Sequence, residues 1–176
     1  MSPSFLFIHG LGSSKNSRKF LALQSFFKET FDFYCMEWDE HTNIPKQIEQ
    51  THQTFKTTYS LVVFGDSTGA NFAYQFRAFR EAFGLQTTLI VSAPLLDLKL
   101  RMANFDFPAS LIPYLIRIQH PEKMLMICPI FDELMNHRGW KTNESTELSV
   151  LHVEDTHRMP NFTNYLPAIK AYIEKS

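Results

Sequence analysis

The stretch Leu61-Val-Val-Phe-Gly-Asp-Ser-Thr-Gly-Ala70 sets a serine in a G-x-S-x-G pattern, between an apolar run and an amphipathic one. A strand that turns sharply into a helix at such a serine strains its backbone and leaves its hydroxyl clear. Small neighbours at both flanking positions prevent clashes there, and the helix N-terminus favours negative charge beside it. Ser67 is therefore the candidate nucleophile. A second pattern, Phe7-Ile-His-Gly-Leu-Gly-Ser-Ser14, follows the first apolar run. Acyl transfer needs N–H donors aimed at a developing oxyanion. The expected donors are the backbone N–H groups of Leu11, in this first loop, and Thr68, the residue after the nucleophile. Four of the chain's 6 glycines (Gly10, Gly12, Gly65 and Gly69) fall in these two motifs, which points to backbone demands at one site. His9 reads as structural, holding the first loop.

A serine hydroxyl needs a base, and the base needs an orienting carboxylate. With this kind of turn the chain order is Ser, then Asp or Glu, then His. Four histidines follow Ser67: His120, His137, His152 and His157. His120 precedes Pro121, His137 sits in a polar stretch, and His152 lies inside the last apolar run. His157 follows that run in Glu-Asp-Thr-His-Arg, at the end of the expected last strand, so it is the candidate base. Asp132 follows the preceding apolar run and is the candidate acid. Asp97 and Asp106 are less well placed, and the adjacent Glu133 remains an alternative.

The elements that must position these residues alternate. Short apolar runs over residues 5–9, 31–36, 61–64, 88–91, 124–128 and 148–153 read as strands. Helices are expected over 17–29, 45–56, 70–83 and 161–174, with Gly84 ending the third and Pro167 kinking or shortening the last. Strands alternating with helices imply a parallel sheet covered on both faces, with the site at the strands' carboxyl ends. The reading is an α/β, doubly wound, mostly parallel six-stranded sheet in a single domain. About 30 residues, 94–122, interrupt the rhythm with Pro94, Pro108 and Pro113 among many apolar side chains. They read as a packed insertion or as a small cap over an acyl pocket.

Composition narrows the remaining classes. The 17 basic and 18 acidic side chains recruit neither nucleic acid nor an anionic membrane. Cys35 and Cys128 lie in apolar runs and read as free buried thiols rather than a disulfide framework. No apolar stretch is long enough for a signal or a membrane span, so a cytoplasmic address is expected. The histidines and cysteines form no metal pattern, and the first loop lacks a dinucleotide fingerprint, so no cofactor or metal is expected.

At the first-loop and serine motifs, at Val91-Ser-Ala-Pro and at Asp132-Glu133, the chain resembles the small bacterial α/β-hydrolases of the YqiA-like esterase family. The likeness continues through His157 to Phe162 and Tyr165, nearly end to end. It implies a minimal α/β-hydrolase fold, lidless or lightly lidded, with Ser67, Asp132 and His157 matching the family's triad. The chain departs from the pattern at Asp66, where a small polar residue is usual, at Thr68 in place of an apolar residue, and at Ala70 in place of a second glycine. Asp66 is expected to point away from the site, toward neighbouring loops. The function expected is a serine hydrolase, a carboxylesterase cleaving small acyl esters. A thioesterase or peptidase with the same triad, or a binding protein without catalysis, is the alternative.

Overall fold

The computed structural model describes residues 3–137 and 147–176. Six strands form one sheet: β1 (Ser4–Ile8), β2 (Asp32–Met36), β3 (Ser60–Asp66), β4 (Gln86–Ser92), β5 (Met124–Pro129) and β6 (Leu148–Val153). Their order is β2-β1-β3-β4-β5-β6, and every neighbouring pair is parallel. The order reverses beside β1, so the loops after β1 and β3 open side by side at the carboxyl edge.

The central strands are apolar on both faces because helices cover both. Phe5, Phe7, Val62, Phe64, Ile90, Leu125 and Ile127 pack under α1 (Arg18–Phe27) and α4 (Leu166–Ile173). Leu6, Ile8, Leu61, Val63, Leu89, Val91 and Met126 pack under α2 (Ile44–Thr54) and α3 (Thr68–Glu81). Burying each such side chain contributes roughly 1.5–3 kcal/mol. Local signals set the helix ends. Ser17 and Asn43 cap α1 and α2, accepting from the N–H groups of Phe20 and Lys46. Past α3, Gly84 turns left-handed at φ 71°; its N–H reaches Glu81 O and that of Leu85 reaches Arg80 O, closing the helix. Pro167 shortens the last helix rather than kinking it. It sits in the first turn of α4, where no N–H is needed, and a short 3-10 turn (Phe162–Tyr165) precedes it.

Residues 93–123 take the place of a crossover helix between β4 and β5 and contain two short 3-10 turns, Leu98–Leu100 and Ile112–Tyr114. Leu96, Leu111 and Ile118 join the core beneath α2 and α3. Asn71 of α3 holds the segment at both ends, donating to Leu95 O and Ile116 O and accepting from Ile116 N–H. The middle is different: Met102 and Phe105 are 51% and 53% exposed. The segment is thus core at its ends and an open apolar surface between them. Cys128 is buried, Cys35 is half-buried, and burial pushes both thiols up to about 12. No described helix is long and apolar enough to cross a membrane.

Candidate active site

The turn between β3 and α3 is built by close contact. Ser67 has φ 52° and ψ −116°, a region that residues with a side chain avoid. Its N–H donates to Ser92 O at 2.9 Å, and its carbonyl accepts from Ala70 and Leu95 N–H at 3.0 Å each, so three bonds hold the strained residue. A side chain at Gly65 would meet Ala70 Cα at 2.6 Å and Ala73 Cβ at 2.7 Å. At Gly69 it would run into the carbonyl oxygens of Ile8 and His9. Both positions therefore accept only glycine, because α3 packs against the end of β3 at Gly65 and against the end of β1 at Gly69.

The loop after β1 lies against the same turn. A side chain on Gly10 would begin 3.2 Å from Ser67 Cβ. His9 stacks on Trp38 with ring centroids 5.3 Å apart. Its Nε2 accepts from the Trp38 N–H at 3.2 Å, and its Nδ1 lies 2.8 Å from Gly10 O. The first contact requires an unprotonated Nε2, so the proton sits on Nδ1 and donates to the carbonyl. Burial lowers the His9 imidazole below its ordinary value and keeps it neutral. His9 is a brace of the loop, as its place in the motif suggests. No described group accepts from the Leu11 N–H. Thr68, first residue of α3, has no intrahelical carbonyl to meet.

Three residues from distant segments meet here. His157 Nε2 lies 2.9 Å from Ser67 Oγ, and His157 Nδ1 lies 2.9 and 3.0 Å from the two oxygens of Asp132. Asp132 is buried, and its Oδ1 also accepts from the N–H groups of Leu134 and Met135 at 2.8 Å each. Burial alone would raise its carboxyl, but the hydrogen bonds from His137 and His157 outweigh this and hold it well below 3.8. The carboxylate is therefore ionised, and His157 Nδ1 donates to it. That leaves Nε2 free to accept from Ser67.

Neighbouring candidates fall elsewhere. Glu133 accepts from the backbone N–H of His157 at 3.1 Å and so holds the loop, not the ring. Asp97 caps a 3-10 turn and pairs with Arg117 at 2.7 Å, and Asp106 is exposed. His120 is exposed, as is His152 on the edge strand β6. His137 is the residue that sequence reasoning missed: its Nε2 sits 2.7 Å from Asp132 Oδ2, with the side chain 8% exposed. Nothing in the polar stretch around it signals that role. Asp155 was also missed. Buried, it accepts from Thr156 and Asn161 N–H and from the Tyr165 hydroxyl, which fixes the loop carrying His157. Asp66 keeps Oδ2 beside Gly10 of the first loop, but its hydrogen bonds are made elsewhere, through Oδ1. It turns back to Lys19 on α1 at 2.6 Å and accepts from the Ser92 hydroxyl at 2.6 Å.

A cavity of about 350 Å³ lies beside the acid, lined by Met102, Ile130, Asp132, Met135, His137 and His152 among others. Neither Ser67 nor His157 lines it, so it is not the space in which the hydroxyl would react.

Solved structures share this architecture across almost the whole chain. The esterase Est1E from Butyrivibrio proteoclasticus superposes with a TM-score of 0.68 at 14% identity, covering 99% of this chain and 88% of its own. A proposed hydrolase of the alpha/beta superfamily from Xanthomonas campestris pv. campestris gives 0.64 at 17% identity, covering 99% and 97%. The fold is the α/β-hydrolase fold. RedJ, a thioesterase of the prodiginine biosynthetic pathway in Streptomyces coelicolor, gives 0.66 at 12% identity, covering 97% and 91%. No family model matches the sequence, and no curated protein matches it. The likeness is therefore one of α/β-hydrolase architecture, and the YqiA-like esterases stay a resemblance of motifs.

Proposed function

We propose that this chain is a serine hydrolase, a carboxylesterase that cleaves small acyl esters. The observation that carries the reading is the continuous chain from Ser67 Oγ through His157 to Asp132, with links of 2.9 Å and 2.9 Å. Ser67 attacks the ester carbonyl while His157 Nε2 takes its proton. Asp132 keeps the imidazole in the tautomer that can do so and stabilises the imidazolium that forms. The oxyanion is held by the N–H groups of Leu11 and Thr68, with the positive end of α3 adding to them. His157 then returns the proton to the leaving alcohol, and water releases the acyl group by the reverse sequence. No step calls for a cofactor or a metal.

Thioesterases among the similar structures make an acyl thioester the second substrate class to assay. The test is labelling by a fluorophosphonate, followed by turnover of p-nitrophenyl acyl esters and matched acyl thioesters. Ser67→Ala is expected to abolish labelling and to lower turnover by at least about 10³-fold. Labelling that persists in Ser67→Ala would overturn the assignment of the nucleophile.

A further inference from the structure

Behind the Ser67 turn lies a charged pair that the hydrolytic steps leave unused. Lys19, in the first turn of α1, places Nζ 2.6 Å from Asp66 Oδ1, and the two side chains are only 8% and 15% exposed. Ser92, at the end of β4, donates to the same oxygen at 2.6 Å and lies 3.5 Å from Nζ. Asp66 Oδ2 has no hydrogen-bond partner among the described residues. It sits 3.8 Å from the point where a Gly10 side chain would begin, and that point is 3.2 Å from Ser67 Cβ. A carboxylate oxygen thus borders the gap between the first loop and the serine, where the oxyanion donors are placed.

We propose that Lys19 is a positioning residue for the reaction: its ammonium anchors Asp66 behind the turn and neutralises it, so that an acidic residue can stand next to the nucleophile. The inference rests on Ser67 being that nucleophile. Negative charge grows on the carbonyl oxygen as the serine adds, and only groups that stabilise it there lower the barrier. An unneutralised carboxylate one residue away opposes that charge, more strongly in a partly buried site than in water. Lys19 also makes a weak contact with the Phe162 ring, 6.0 Å from its centroid, so α1, β3, β4 and the segment before α4 converge on one ammonium. The charge, rather than the length of the side chain, is what the site requires.

Four variants decide it, each assayed for kcat and KM on an apolar acyl ester with thermal unfolding measured alongside. Lys19→Met should lower kcat at least about tenfold with little change in KM, because the opposition exists only once charge develops. Lys19→Arg keeps the charge and should stay within about threefold of the unaltered protein. Asp66→Asn removes the charge to be neutralised and should also stay close. The double variant Lys19→Met/Asp66→Asn should regain the rate of Asp66→Asn. If Lys19→Met does not fold, the comparison of the double variant with Asp66→Asn still decides. A double variant at least tenfold slower than Asp66→Asn, or a folded Lys19→Met as fast as the unaltered protein, would overturn the proposal. Absence of fluorophosphonate labelling in the unaltered protein would instead overturn the nucleophile reading, and this inference with it.

Discussion

Replacing Asp132 by Asn changes one atom type in the most heavily bonded side chain of the site. Oδ1 accepts from two backbone N–H groups, and Oδ2 from His157 Nδ1 at 2.9 Å and His137 Nε2 at 2.7 Å. An asparagine has one carbonyl oxygen, which stays with the two backbone donors. Its NH₂ group then faces both rings. A donor against His157 Nδ1 requires that nitrogen to be bare, so the ring proton moves to Nε2. There it points at Ser67 Oγ, 2.9 Å away, and the imidazole can no longer accept the hydroxyl proton. The expected loss in kcat is as much as about 10⁴-fold, or about 5 kcal/mol of barrier. Stability should fall as well, by about 1.5–3 kcal/mol for each of the two charge-assisted hydrogen bonds that Oδ2 loses. The assay is ester turnover and fluorophosphonate labelling rate, with thermal unfolding to confirm a folded variant. Glu133→Gln and Asp97→Asn are the controls and should remain within about tenfold, because their carboxylates touch a backbone N–H and Arg117 rather than the ring. A folded Asp132→Asn with a near-normal rate would refute the reasoning, and a crippled Glu133→Gln beside it would move the role to Glu133.

Gly69→Ala forces a methyl group against the carbonyl oxygens of Ile8 and His9, backbone atoms that cannot swing aside. It should cost about 1–3 kcal/mol in urea unfolding and displace the first loop, so that activity per folded molecule falls as well; an unchanged specific activity would contradict the account of that loop. Arg80→Met tests the opposite end of the sheet. This fully buried guanidinium donates to the carbonyls of Phe55, Thr58, Tyr59 and Gln86, so the variant should lose about 3 kcal/mol or more while the folded fraction keeps its kcat. A stable variant, or one folded but inactive, would count against that role. The last prediction concerns acid. Asp132's carboxyl is depressed in the folded protein, so it contributes stability that is present above its unfolded value, near 3.8, and is lost as pH falls toward the folded one. His137→Phe removes one of the hydrogen bonds that lower it, so the loss of stability between about pH 5 and 2 should be smaller than in the unaltered protein, whereas His137→Gln keeps a donor and should retain it. Unfolding free energies with the same pH slope in all three would refute the pairing.

Much of this protein could be read along the chain, because its strongest signals are local. Alternation of buried strands with amphipathic helices yields the parallel sheet, since parallel neighbours need crossovers and these cover both faces. The Ser67 turn is legible because a strained serine forces glycine onto positions 65 and 69, close by in sequence. Asp132 and His157 could be picked by chain order and by their places just past two strands, although spacing alone could not separate Asp132 from Glu133. That separation is tertiary: the turn after β5 aims Asp132 inward at the ring, while Glu133 reaches the backbone of the His157 loop. The same holds for Pro167, whose effect depended on where α4 begins rather than on the proline itself. His137, Asp155 and the Lys19–Asp66 pair carry no local mark, because each is defined by a partner up to 47 residues away or by burial that only packing creates. Local sequence settles which backbone must bend and which side chains can react. The tertiary structure decided which carboxylate meets which cation or imidazole, because hydrogen bonds act over about 3 Å and chain order does not record distances that short.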